Sequence, residues 1–365
     1  MPLKLPIYCQ LKAIKDFFAF EPDSMALDAL LEQNFKQAKN RIDLQDLILN
    51  RSKLHLDIDL EDFLILAEAD VQNRGLVFSL LDSSQRGNRQ LSFEPEIFEF
   101  IENEQANLPT FLNPHTLFLL DREKEFCERF EKKYGFWFYN VERLFEKAAF
   151  ILSSALYNVT KQVTASARLS NWGDLRAFRH PCNAMVIVDN YIFSPNYRQT
   201  YQQNIYDNIV LFLKVVLLNN FENIEFDLTF VSEKDSKNRF TIDELYNNLN
   251  QKLAGNFTNI YFNLSIIFTN ELPPDLQNHD RNIFTNYFWL HSGYSFTYFD
   301  NRGNTAKETN LTLHSILGGF YNNEAGDNPI FDAVRLHLDK CKHICDAQTN
   351  TDYFRGNKHN RLLDF

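Results

Sequence analysis

Apolar residues along the chain follow two rhythms, one spaced by three and four and the other alternating or continuous, and their succession predicts an α/β protein. Near the start, "DSMALDALLEQNFKQA" opens on Asp23-Ser24 and spaces its apolar positions at three and four, the pattern of a capped amphipathic helix. Two short apolar runs follow, "GLVFSLLD" from Gly75 to Asp82 and "TLFLLD" from Thr116 to Asp121. Polar or turn residues bound each run, so both predict buried strands. "REKEFCERFEKKYG" then predicts a charged helix closed by Gly135, and "VERLFEKAAFILSSALYNV" a second helix reaching Val159. Residues 1–160 thus read as an N-terminal α/β region, less regular than a clean parallel sheet.

The pattern lapses from Lys161 to Pro181 into a polar, basic-leaning stretch, "KQVTASARLSNWGDLRAFRHP", which places a loop and domain boundary at about 161–180. From 181 to 345 the alternation sharpens. "NAMVIVDNYIF" predicts a strand ending on Asp189, "YDNIVLFLKVVLLNN" a helix, and "IEFDLTFVS" a strand ending on Ser232. "TIDELYNNLNQKLAG" predicts a helix with Thr241 as N-cap and Gly255 as stop, and "IYFNLSIIF" a third strand. In "NIFTNYFWLHSGYSFTYF" a turn at His291 to Gly293 would fold two more strands together, with Trp289 and Phe296 in their core. Strand–helix–strand–helix–strand with short connections predicts a mixed, mainly parallel sheet with helices on both faces. Residues 346–365 read as a polar, solvated tail.

Composition adds little mechanism. The chain has 365 residues, 44% of them hydrophobic, enough for one large domain or two ordinary ones. It carries 35 Phe and 15 Tyr but 3 Met, a bias that an AT-rich genome explains. A formal net charge of -11 argues against a nucleic-acid binder with a global basic footprint and leaves that role to local patches. No run reaches the length of a membrane span, "MPLKLPIYCQ" lacks the apolar core of a signal peptide, and five scattered Cys read as reduced thiols. A cytoplasmic protein is expected.

In a parallel sheet, sites form in the crevice outside the carboxyl ends of the strands. Asp189 and Ser232 end two of the strands, and His279-Asp280-Arg281 follows the third. An Arg fork suits phosphate or carboxylate, and a nearby His serves as acid, base or nucleophile. Ser292 completes the candidate set. The plainer alternative for "HDR" is a solvated turn with a weak surface pair between Asp280 and Arg281.

"VIVDNYI", "NIVLFLKVVL" and "HDRNIFTNYFWLHSGYSF" carry a resemblance. The block from about Ala184 to Thr312 resembles a single phospholipase D-like domain, of the degenerate kind found at the C-terminus of mammalian microtubule-interacting-and-trafficking domain proteins and in many bacterial proteins. Active members use His-x-Lys-x4-Asp, normally twice, one His attacking phosphorus and the other protonating the leaving group. Here His279 is followed by Arg281 where Lys belongs and by Asn286 where Asp belongs. No second copy is visible, since "RHPCNA" at Arg179 and the region of His314 lack the spacing. The resemblance therefore implies one of two functions. The first is a non-catalytic binding protein with a phosphate-bearing ligand or a protein partner. The second is a phosphodiesterase or nuclease that pairs two His279 residues across a homodimer, as in anti-phage defence. Neither implies a cofactor.

Two further motifs leave alternatives open. "LHLDIDLEDF" would place Asp57 and Asp59 on one face of a strand, either as a solvated edge or as part of a metal cluster. In "RLHLDKCKHICD", His337, Cys341 and Cys345 fall four apart on one helix face, either the start of a zinc site or a half-buried helix surface.

Overall fold

The computed structural model describes residues 4–20, 30–71, 75–85, 90–105, 107–162, 164–194, 200–234, 240–273, 276, 281–300, 305, 307–318 and 329–365. The chain divides into two compact units, Met1–Ser153 with Leu317–Asp332, and Ser154–Ile316 with Ala333–Phe365.

In the first unit, β1 (Leu5–Cys9), β2 (Ser52–Leu56), β3 (Gln90–Phe93), β4 (Leu117–Leu119) and β5 (Trp137–Tyr139) form one sheet in the order β3-β2-β1-β4-β5. All four pairings are parallel. The helices are α1 (Leu11–Ala19), α2 (Leu30–Asn50), α3 (Leu60–Asp70), α4 (Leu76–Gln85), α5 (Pro95–Glu102), α6 (Lys124–Tyr134) and α7 (Val141–Leu152). This region, expected to be the less regular one, is the all-parallel one. Strands of three residues such as β4 and β5 are too short to declare a period, which hid the order from the sequence. Gly135 closes α6 in the left-handed conformation at φ 70. "GLVFSLLD", expected as a strand, is helix α4, because a short apolar run has no period that separates strand from helix. The helix expected to run to Val159 stops at Leu152, and β6 (Ser154–Val159) follows. The N-cap expected at Asp23-Ser24 lies outside the described residues.

The second unit adds β7 (Arg168–Leu169), β8 (Ala184–Val188), β9 (Ile224–Glu233), β10 (Ile260–Thr269), β11 (Arg281–Thr285), β12 (Phe288–Ser292), β13 (Thr309–Ser315) and β14 (Phe354–Arg355). With β6 they make a sheet in the order β14-β10-β9-β8-β11-β12-β13-β6-β7. β8, β9 and β10 are mutually parallel, while β11, β12, β13 and β6 continue antiparallel. The sheet is mixed, as expected, but parallel pairing is confined to β8, β9 and β10 and to the short β6–β7 pair at one edge. All five residues of β8 are buried, so both of its faces are covered, which explains a strand apolar without alternation. A helix runs from α8 (Tyr201–Asn204) through a π-helical turn (Ile205–Val210) into α9 (Leu211–Val216). α10 (Ile242–Asn256) has the expected Thr241 cap, a capping box with Glu244, but passes through Gly255 and ends before Phe257. α11 spans Pro329–Ala347 and α12 Arg361–Asp364.

Three more expectations change. The hairpin turn falls at Asn286-Tyr287, between β11 and β12, and not at His291 to Gly293. The supposed loop at 161–180 holds β7 and a 3-10 helix, Trp172–Phe178, that buries Trp172, Leu175 and Phe178. The supposed solvated tail is pinned to the sheet. β14 pairs with β10, and the buried Asn360 donates from Nδ2 to Met185 O, Asp227 O and Thr229 Oγ1.

Candidate functional site

Strand register brings four of the sequence-predicted residues into one row. Val188 pairs with Val231 and with Asn282, and Arg281 pairs with Ser292. One step beyond Val188, Asp189 therefore lies between Ser232 on one side and Arg281 on the other. The row Ser232, Asp189, Arg281, Ser292 crosses β9, the end of β8, β11 and β12 at the carboxyl edge of the parallel strands.

The row is buried, which the sequence did not suggest. Asp189 is 1% exposed and Arg281 5%. Arg281 Nε lies 3.5 Å from Asp189 Oδ1, which also accepts the backbone N–H of Tyr191 at 2.9 Å. Asp189 Oδ2 accepts from Ser295 Oγ at 2.8 Å and from the backbone N–H of Phe296 at 2.7 Å. Burial pushes the Asp189 carboxyl up, against the N–H of Tyr191, the Arg281 charge and the Phe296 and Ser295 donors that hold it down. The ring of Tyr191, half exposed, lies 5.4 Å from the guanidinium carbon. Ser292 Oγ accepts from Tyr294 N, and Ser232 Oγ donates to the carbonyl of Glu233. Arg281 is thus a buried ion-pair partner of Asp189 and not part of a solvated turn.

Asn286 is not part of this row. It sits at the far end of β11, where its Oδ1 accepts the backbone N–H groups of Asn183 and Ala184 and its Nδ2 donates to Asn183 Oδ1. That ties the β11–β12 turn to the amino end of β8. His279 and Asp280 lie outside the described residues. The "RHPCNA" histidine, His180, is buried; its Nδ1–H donates to Phe178 O and its Nε2 accepts from Thr285 Oγ1. Burial lowers it to about 4. Phe296 is core, whereas Trp289 is half buried and ringed by Phe284, His291, His314 and His337.

On α11, Cys341 and Cys345 are fully buried, and burial pushes the Cys345 thiol up to about 12. His337 instead donates from Nδ1 to Ala333 O, with its ring against Trp289. Among the described residues no group of three or more His, Cys, Asp or Glu could hold a metal ion. Asp57 and Asp59 do not share a strand face, because β2 stops at Leu56. Asp57 instead accepts the Leu11 N–H that opens α1, and Asp59 caps α3 through Asp62 N. Among the described residues no helix is long and apolar enough to cross a membrane.

One polar cluster escaped the sequence. Tyr8, His55 and Ser92 pair in register across β1, β2 and β3. All three meet Glu94, at 3.0 Å from Tyr8 Oη, 2.8 Å from His55 Nδ1 and 2.7 Å from Ser92 Oγ. Burial lowers the His55 imidazole and raises the Tyr8 phenol, while three donors outweigh burial and lower Glu94. The signal available was His55 inside the apolar alternation of "KLHL", but its partner lies 39 residues away and nothing local names it. No protein-family model matches the chain, and no curated protein matches it.

Proposed function

We propose that the chain is a non-catalytic binding protein whose second unit is a degenerate phospholipase D-like domain. The carboxyl edge of its parallel strands would take a phosphate-bearing ligand at Arg281. The observation that carries this reading is the Asp189–Arg281 pair. In phosphodiester chemistry the cation must act on charge that develops in the transition state. Here a buried carboxylate neutralises the guanidinium before any substrate arrives, and three donors besides Arg281 hold that carboxylate in place. Such a pair suits reversible capture, with an incoming phosphate competing against Asp189 from the side that Tyr191 covers.

The reading is tested by calorimetry with inorganic phosphate, alongside hydrolysis assays with bis(p-nitrophenyl) phosphate and single-stranded DNA, each with and without divalent metal. Binding without turnover is expected. Asp189→Asn removes the competing charge and keeps the shape, so it should tighten phosphate binding about tenfold, the equivalent of roughly one pKa-unit of interaction. Turnover that disappears in His279→Ala would replace this reading with the dimeric phosphodiesterase.

A further inference from the structure

At the amino edge of the parallel strands, the ends of two helices and the chain that leads from them into the sheet enclose a pocket of about 320 Å³. One wall runs from Lys214, in the last turn of α9, to Phe221, shortly before β9. The other runs from Asn256, the last residue of α10, to Ile260, the first of β10. Both stretches are described without a break, and the Ile224 N–H ties them together by donating to Asn259 O at 3.2 Å. The volume falls in the range of small-molecule sites, ~300–1,000 Å³.

The charge in this pocket is already balanced. Among the described residues that line it, Lys214 carries the one ionic side chain. A helix ends in partial negative charge, which a cation offsets. α10 has no basic residue in its last turn, and Lys214 reaches across from α9 to donate from Nζ to Asn256 Oδ1 at 2.6 Å. An anion would meet the carboxyl end of α10, and a cation would meet Lys214. What remains is amide and hydroxyl. Asn256 Nδ2 donates to Lys252 O at 2.8 Å, and Thr258 Oγ1 donates to Asn259 Oδ1 at 3.3 Å. Asn259 Nδ2 and the whole Asn219 amide make no hydrogen bond among the described residues, and both residues are exposed. An amide offers donors and acceptors together, which matches a ligand's hydroxyls. The apolar wall beside them holds Leu217 and Phe221, both buried. Phe257 completes it, half-buried and held edge-on to Phe262 with ring centroids 5.3 Å apart.

We infer that this pocket takes a neutral, hydroxyl-rich ligand with one apolar face, of the pyranoside class. Its hydroxyls bond the amides of Asn219 and Asn259, and its C–H face lies on Phe257. The row at Asp189 and Ser232 is at the other end of β9, roughly 25 Å away at about 3.3 Å per residue. The pocket therefore stands or falls separately from that row.

The test is residue-resolved NMR of the 15N-labelled protein titrated with methyl β-D-glucopyranoside. Glycerol serves as a ligand without an apolar face, and glucuronate and glucosamine as charged counterparts. The glucoside should shift the backbone signals of Asn219, Thr258 and Asn259 saturably, and more than glycerol does. Asn259→Ala should weaken it about fivefold, the scale of one neutral hydrogen bond. Asn219→Trp, at an exposed position, should block the pocket while the thermal transition is retained. Tighter binding of glucuronate or glucosamine than of the glucoside would overturn the neutral assignment. Shifts confined to Tyr191, Arg281 and Ser292 would leave the sheet-edge site standing and remove this one. So would affinity untouched by Asn259→Ala and Asn219→Trp, or no saturable shift with the glucoside at all.

Discussion

A guanidinium and a carboxylate held together away from water are costly to separate, because removing one strands the other's charge in a low-dielectric setting. Arg281 and Asp189 are so placed, with side chains 6% and 0% exposed. Arg281→Ala should therefore cost about 3–5 kcal/mol of stability in urea denaturation, well beyond the near-zero effect of a surface arginine. Arg281→Met combined with Asp189→Asn should cost less than Arg281→Ala alone, since no lone charge remains buried. An Arg281→Ala protein as stable as wild type would mean that Asp189 is neutral and the pair does not exist. The identity of both residues, and their positions at strand ends, were legible from the chain. Their burial was not, because it depends on Ser295, Phe296 and Tyr191 closing over them.

At the scale of elements, two glycines give opposite predictions. Gly255 was expected to stop α10 but lies within it, and a Cβ there meets nothing within 4 Å. Gly255→Ala should stabilise the protein by about 0.5–1 kcal/mol through helix propensity alone, seen as a raised thermal midpoint. Gly356, just after β14, has φ +104, and a Cβ there would lie 2.2 Å from Leu264 O and 2.8 Å from Ser265 Cα. Both atoms are backbone and cannot move aside cheaply. Gly356→Ala should cost about 1–3 kcal/mol in strain and loosen the C-terminal strap, with faster proteolysis at 346–365 as the readout. Equal protease resistance in Gly356→Ala would show that the strap is not held through this turn.

At the scale of the molecule, stability should depend on pH through groups buried in one charge state. His180, lowered to about 4 in the fold, titrates near 6.5 when unfolded. As pH falls, the unfolded chain takes the proton first. The neutral imidazole's contribution is therefore complete above about 6.5 and is lost between there and about 4, roughly 3 kcal/mol in all. Glu131, which burial pushes up to about 7 against Arg143, works in the opposite sense by favouring the folded state as pH falls. The wild-type curve sums both, so the difference between wild type and His180→Gln isolates the histidine. That difference should change by about 3 kcal/mol from pH 7 to pH 4, and a constant difference would remove His180 from the account.

Local chemistry decided much of this protein in advance. The Thr241 capping box, the αL stop at Gly135, the five-residue apolar run of β8 and the alternation of β9 and β10 each depend on residues within a few positions of one another, so the chain alone determines them. Tertiary structure decided whatever depends on distant partners. It made "GLVFSLLD" a helix, because only packing separates a short apolar helix from a strand. It moved the hairpin turn to Asn286, where Asn183 and Ala184, about a hundred residues earlier, supply the N–H groups that hold it. It turned a polar tail into a strap, through acceptors on β8 and β9 that lie more than a hundred residues from Asn360. And it brought Asp189 to Arg281 across antiparallel strands, burying a pair whose spacing of 92 positions leaves no periodic trace in the sequence.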